Sequence, residues 1–242
     1  MVAKHQWQFG VLALCAVASW QAQADYQCAV NPQDDVVINS HSVQVVGRNG
    51  NLLITPNGDI SYNDSQMTLN DQQRQAAVDY QAALRHDLPW IDQGARSRLE
   101  KARQTMDGII VKQLGEESRV RNDLADLNGE LQQQMNRIIE HRNDGLIFHY
   151  QAVEQVKREG HQLVENRMGT MLQDSLNEMS SRQSGNGGNP LQALVGGLGG
   201  LQQSVQNEFK HQEKDFQNFG NSVCQHVTAL EAQRKELVAS IK

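Results

Sequence analysis

Eight histidines, three cysteines and 28 carboxylates are the raw material for chemistry in this 242-residue chain. Beyond residue 24 the histidines are His41, His86, His141, His149, His161, His211 and His226. No two are spaced His-x-x-x-His, the interval that sets two imidazoles on one helix face for a metal ion. Glu140-His141 and Phe148-His149-Tyr150 flank a turn signal at Asn143-Asp144-Gly145, so His141, His149 and Glu154 form the best acid–base or metal cluster the sequence offers. Packed or solvated imidazoles are the simpler reading of these residues. No serine sits in a Gly-x-Ser-x-Gly elbow. The glycines of residues 185–200 lack the Lys-Ser/Thr that completes a phosphate-binding loop. The adjacent pairs Asp34-Asp35 and Glu116-Glu117 point apart in a strand or helix and suit turns or caps. The sequence therefore assigns no catalytic residue, no metal ligand and no cofactor.

The cysteines carry a clearer message. Lys4, the 12-residue apolar run Phe9–Trp20 and Ala22-Gln23-Ala24 stand in the order of a secretory leader and its cleavage site. Residues 1–24 are expected to be removed, so that the working chain starts at Asp25. The run is shorter than the ~20 residues that span a bilayer. A lipid anchor on Cys15 is disfavoured by the bulk of Leu14. Cys15 leaves with the leader, and Cys28 and Cys224 remain as a pair. In an oxidising compartment an even pair reads as one disulfide, and the absence of Cys-x-x-Cys argues for a structural bond over a redox one.

Loss of Lys4 leaves 21 Lys+Arg against 28 Asp+Glu, a net charge of −7. This mild, interspersed acidity argues against a nucleic-acid partner. Nine aromatic residues lie beyond the leader. That is thin for an enzyme with an enclosed apolar pocket and better suited to a helical scaffold with an aliphatic core.

These residues need elements to position them, and the pattern predicts an α+β fold, predominantly α, with a small β-meander packed on long coiled-coil-like helices. Residues 25–69 form the β-rich head. Val36-Val37-Ile38, Val43-Gln44-Val45-Val46 and Leu52-Leu53-Ile54 are strand-like, Asn49-Gly50 is hairpin-turn chemistry, and Pro56-Asn57-Gly58 turns the chain toward Ile60-Ser61-Tyr62. Four to five short strands are expected. Residues 70–183 form a long helical hairpin region. Asn70 caps a first helix that is expected to end near His86, because Leu88-Pro89 interrupts it. A second helix runs from about Trp90 to Leu114 and stops near Gly115. Trp90 is expected to anchor head to rod, or to serve as an interaction residue if exposed. Val120, Leu124, Leu127, Leu131, Met135 and Ile138 continue a seam close to the 3.5-residue repeat. Asn143-Asp144-Gly145 is expected to turn the chain back into a helix carrying Val153 to Met179. Residues 184–200 are a Gly-rich linker in which Leu191, Leu194 and Leu198 alternate with small residues. This segment is a candidate for partner or membrane-surface contact, although it lacks the basic face of an interfacial helix. Residues 201–242 form a C-terminal helix with Cys224 beside its seam.

Several stretches are specific: Asp25-Tyr26-Gln27-Cys28, Leu88-Pro89-Trp90-Ile91-Asp92, Gln134-Met135-Asn136-Arg137-Ile138-Ile139-Glu140, Gly188-Asn189-Pro190-Leu191 and Glu213-Lys214-Asp215-Phe216. With Gly50-Asn51-Leu52, Ile54-Thr55-Pro56 and Phe148-His149-Tyr150 they make the chain resemble the YggN family of exported bacterial proteins, a grouping of unknown function. The resemblance implies a Gram-negative periplasmic protein and brings no catalytic residues with it. The reading that follows is a non-enzymatic interaction or scaffold protein that acts through long helix faces on a protein partner or a second copy. An envelope hydrolase with a site assembled from distant residues and a membrane-surface protein acting through residues 191–201 are the alternatives.

Overall fold

The computed structural model describes residues 28, 30, 32–48, 50–183 and 190–241. The leader, its cleavage site and the first part of the Gly-rich stretch, 184–189, lie outside the described residues. The predominantly helical α+β architecture matches expectation.

Five strands follow one another in the head: β1 (Asp34–Asn39), β2 (Val43–Gly47), β3 (Gly50–Ile54), β4 (Ile60–Tyr62) and β5 (Ser65–Gln66). They pair as antiparallel neighbours in sequence order. Alternation decides which face is buried. Val36, Ile38, Val43, Val45, Leu52, Ile54 and Ile60 point inward, while Val37, Gln44 and Leu53 point outward and are only partly covered. The Pro56-Asn57 turn closes with the Gly58 N–H donating to the Thr55 carbonyl at 3.0 Å, and Gly58 takes φ 81°, which favours glycine.

Helix α1 (Asp71–Leu114) follows, with the expected Asn70 cap in a reciprocal box with Gln73 and a stop at Gly115. The break expected at Leu88-Pro89 does not occur: α1 runs through Pro89. Pro89 itself is exposed, on the outer side of the helix. Packing on both sides, Leu84 and Leu88 in the head and Ile110 and Leu114 in the rod, holds the helix through it.

Helix α2 (Val120–Ile138) returns antiparallel to α1, as the pairs Asp107–Arg121 and Arg96–Gln132 record. The chain does turn at Asn143-Asp144, but not directly from helix to helix. Two strands, β6 (Ile139–Arg142) and β7 (Gly145–Phe148), form a hairpin there. Strand β7 adds to the free side of β1, giving a seven-stranded sheet in the order β5-β4-β3-β2-β1-β7-β6. Gly145 is required where this hairpin meets β1, because a Cβ there would lie 1.8 Å from the Ile38 carbonyl oxygen.

Helix α3 (Tyr150–Gln183) then runs back along α2, joined to it by Arg167–Glu130 and Arg137–Glu159. Helix α4 (Pro190–Ile241) begins inside the segment expected to be linker and is about 78 Å long at 1.5 Å per residue. It lies antiparallel to α1: Phe219 rests on Gly94, where a Cβ would come within 2.5 Å of the ring, and Gln73 donates to the Ser240 carbonyl at 2.6 Å.

Two cores result. One joins the inner sheet face to Ala77, Tyr80, Leu84, Leu88, Leu230, Leu237 and Ile241. The other joins the α2 seam to Ile110, Leu114 and Met171, with Leu163 and Met168 against it. Between them is a polar waist. Arg96 Nε donates to both carboxylate oxygens of Asp92 at 2.9 Å, and Asp92 Oδ2 also pairs with His141 Nε2 at 2.7 Å, while Arg96 reaches Gln132 and Asn136 at 2.8 Å. Asp87 Oδ1 faces His86 and His226 at 2.7 and 3.0 Å.

Candidate functional site

The head contains a cavity of about 690 Å³ between the sheet and the helices. Its floor is one inward row of the sheet, Ile139, Phe148, Val36 and Val45, which are cross-strand neighbours. Helix α1 contributes Tyr80, Leu84, Leu88 and Ile91, spaced as one face of a helix. Helix α4 contributes Val223, Val227, Leu230 and Arg234 by the same rule. The mouth is framed by the disulfide, by partly buried Val153 and by the exposed Glu154 and Lys157 in the first turns of α3. Cys28 and Cys224 are bonded, with their Cα atoms 5.5 Å apart, which ties the segment before β1 to the middle of α4.

Apart from Glu154 and Lys157 at the mouth, the charged groups of the cavity gather at one end. There Arg234 donates from Nε and Nη2 to the two carboxylate oxygens of Glu231 at 2.8 and 2.7 Å, and its Nη1 lies 3.4 Å from Asp34 Oδ2. Asp34 and Arg234 are both buried. The Arg234 guanidinium holds the Glu231 carboxyl below the usual carboxylate range, and Glu231 in turn raises the Arg234 pKa. Asp34 reaches this position because its strand partner is Gly47, where a Cβ would fall 1.9 Å from Asp34 Oδ1. Tyr80 lines the same end and is 3% exposed. Burial pushes its hydroxyl pKa up, against the opposing pull of Arg234, so the hydroxyl stays protonated.

A family profile described as "Protein of unknown function (DUF2884)" matches residues 28–242. "Uncharacterized protein YggN" of Escherichia coli (strain K12) is 55% identical over 231 residues, covering 95% of this chain and 97% of that protein. This chain belongs to the YggN family. The protein of the same description from Escherichia coli O157:H7 matches to the same extent. No solved structure matches the chain. The YggN-family match opens at Cys28 and includes Cys224, so it takes in the disulfide and the whole cavity lining.

Within this YggN-family fold the histidines singled out from sequence are not brought together. His141 turns to Asp92 at the waist, whereas His149 faces Glu140 at 3.2 Å and Asp35 at 3.6 Å. Strand alternation separates them: His141 shares the inward row of Leu146 and Ile38, and Glu140 the outward row of Ile147 and Val37. Glu154 goes to the cavity mouth. Among the described residues no three His, Cys, Asp or Glu side chains are placed to hold a metal ion. Asp34 and Asp35 do point apart, and Asp35 caps α3 by accepting from the Tyr150 N–H at 3.0 Å. Trp90 is partly buried, with its ring 5.4 Å from that of Phe219 and 4.5 Å from His226. Leu191, Leu194 and Leu198 belong to the helical backbone of α4, but their side chains lie outside the described residues.

Sequence reasoning missed Tyr80 and Arg234. Their helical spacing to Leu84 and Leu230 was available as a signal, but each reads alone as an ordinary polar interruption of a seam. The scarcity of aromatics also misled, since the cavity lining is mostly aliphatic.

Proposed function

We propose that this chain is a non-catalytic binding protein of the periplasm, exported by residues 1–24 with cleavage after Ala24, and that the head cavity is its binding site. The cavity carries the reading. Its volume of about 690 Å³ falls within the ~300–1,000 Å³ of small-molecule sites, and its walls are mainly aliphatic, with one charged cluster at an end and Glu154 and Lys157 at the mouth. The lining thiols are tied to each other, and Asp34 and Glu231 are committed to Arg234, which leaves little for acid–base work. The disulfide supports an oxidising compartment. Among the described residues no helix is long and apolar enough to cross a membrane. The long helix seams serve the rod's own core, which favours the cavity over the helix faces as the place where a partner is met.

The test is made on chain released by osmotic shock, whose intact mass is expected to correspond to residues 25–242. Titration with the neutral apolar dye Nile red is expected to give saturable, single-site fluorescence. Val153→Trp, which plugs the mouth, is expected to abolish that signal without lowering Tm. Saturable binding that survives Val153→Trp would refute the site. A chain that ignores the dye and sediments as a dimer would return the function to the helix faces, where Leu172 and Phe216 are exposed.

A further inference from the structure

We infer that the cavity selects a neutral amphiphile: an apolar chain bearing an uncharged hydroxyl, ester or amide group that pairs with the Tyr80 hydroxyl. The inference rests on the binding reading above and adds the chemical class of the ligand.

Tyr80 is 3% exposed and lines the cavity, yet among the described residues no group hydrogen-bonds to its hydroxyl. Its oxygen is not one of the sealed, unpaired polar atoms among the described residues, so the hydroxyl opens onto the cavity, where a ligand's polar group can pair with it. The hydroxyl remains protonated, as burial dictates, and can donate to an ester or amide carbonyl or exchange donor and acceptor roles with an alcohol.

Charge disfavours an ionised head group at the Tyr80 end; the other charged lining residues, Glu154 and Lys157, stand at the mouth with one charge of each sign. The end of the cavity holds one cation, Arg234, against two anions, Asp34 and Glu231. A carboxylate or phosphate head group brought here would meet surplus negative charge in an apolar enclosure. An ammonium head group fares no better. The Glu231 oxygens already accept from Arg234, and one also faces Lys235 at 3.5 Å; Asp34 Oδ2 faces Arg234, and Asp34 Oδ1 is buried. A cation would lose its water, share these acceptors with existing cations and meet the positive charge of Arg234. The Asp34–Arg234–Glu231 cluster is therefore a preorganised wall whose charges are engaged with one another, and Tyr80 is the group left to read the ligand.

The test is isothermal titration of the disulfide-bonded chain with monododecanoylglycerol, dodecanoate and dodecylammonium, each below its micellar concentration. Monododecanoylglycerol is expected to bind at least about tenfold more tightly than either charged probe. Tyr80→Phe, which keeps ring and packing, is expected to weaken it by about five- to tenfold, the size of one neutral hydrogen bond, with Tm unchanged. Equal or tighter binding of dodecanoate or dodecylammonium, or an unaltered affinity in Tyr80→Phe, would overturn the inference and leave the binding reading standing if Nile red still binds. Failure of all three probes and of Nile red would overturn both.

Discussion

Removing the disulfide offers the sharpest quantitative check on this architecture. Cys28 and Cys224 are 196 residues apart, so their bond closes nearly the whole described chain into one loop. The chain-entropy relation for a loop of that length gives about 5 kcal/mol at 25 °C as a ceiling. The native state explains why most of this should be realised. Cys28 precedes β1, and Cys224 sits on the α4 face that also carries Val227 and Arg234. Without the bond, that face is still held by Arg234 to Asp34, by Phe219 on Trp90 and by Leu230 and Leu237 in the head core. The fold should therefore persist while the unfolded chain regains its freedom, and the loss should be about 3–5 kcal/mol, a large share of the ~5–15 kcal/mol of a typical domain. The assay is equilibrium urea unfolding by far-UV circular dichroism on the oxidised chain, the reduced chain and the Cys28→Ser/Cys224→Ser double variant. The reduced chain and the double variant should agree, with native-like spectra in the absence of urea. A loss below about 1 kcal/mol would refute the tether argument. So would a double variant without native helix, because the packing between α1 and α4 would then depend on the bond.

Gly145→Ala would place a Cβ 1.8 Å from the Ile38 carbonyl oxygen, backbone that cannot swing aside, so β7 should detach from β1 at a cost of roughly 2–4 kcal/mol. Amide exchange should show lost protection at Leu146 and Phe148, and full protection there would contradict the strand order. Asp123 in α2 has its carboxyl pKa raised by burial first and then by Asp174 and Asp126. A raised folded-state pKa means that its contribution is fully present below the unfolded value and lost as pH rises through the folded one, so the ionised form costs stability at neutral pH. Asp123→Asn should therefore raise Tm by about 1–3 °C at pH 7 and by nothing at pH 3. A gain that is equal at both pH values would contradict the electrostatic cause.

Local chemistry made much of this fold legible in advance. Asn70 and Gly115 bound α1 because cap and stop signals act over a single turn. The alternating runs around Val36, Val43 and Leu52 mark strands because burial of one face has a period of two. The β6–β7 hairpin was not legible as strands. Four-residue segments have no stability of their own, and Ile139 and Leu146–Phe148 become strands only because β1 offers an unpaired edge beside them. Pro89 misled for the complementary reason, since two cores pulling on one helix outweigh a single missing hydrogen bond on its exposed side.

The site divides along the same line. The amino-acid sequence by itself determined the paired cysteines, the helical seams and the lack of a contiguous catalytic motif, because each of these depends on residue type and short spacing. Only the tertiary structure decided that Asp34, Tyr80, Glu231 and Arg234, drawn from β1, α1 and α4, meet at the end of one cavity. It also decided that His141 and His149 part company. Those outcomes depend on which sheet face meets which helix, and that is settled by packing between segments as far apart as residues 34 and 234.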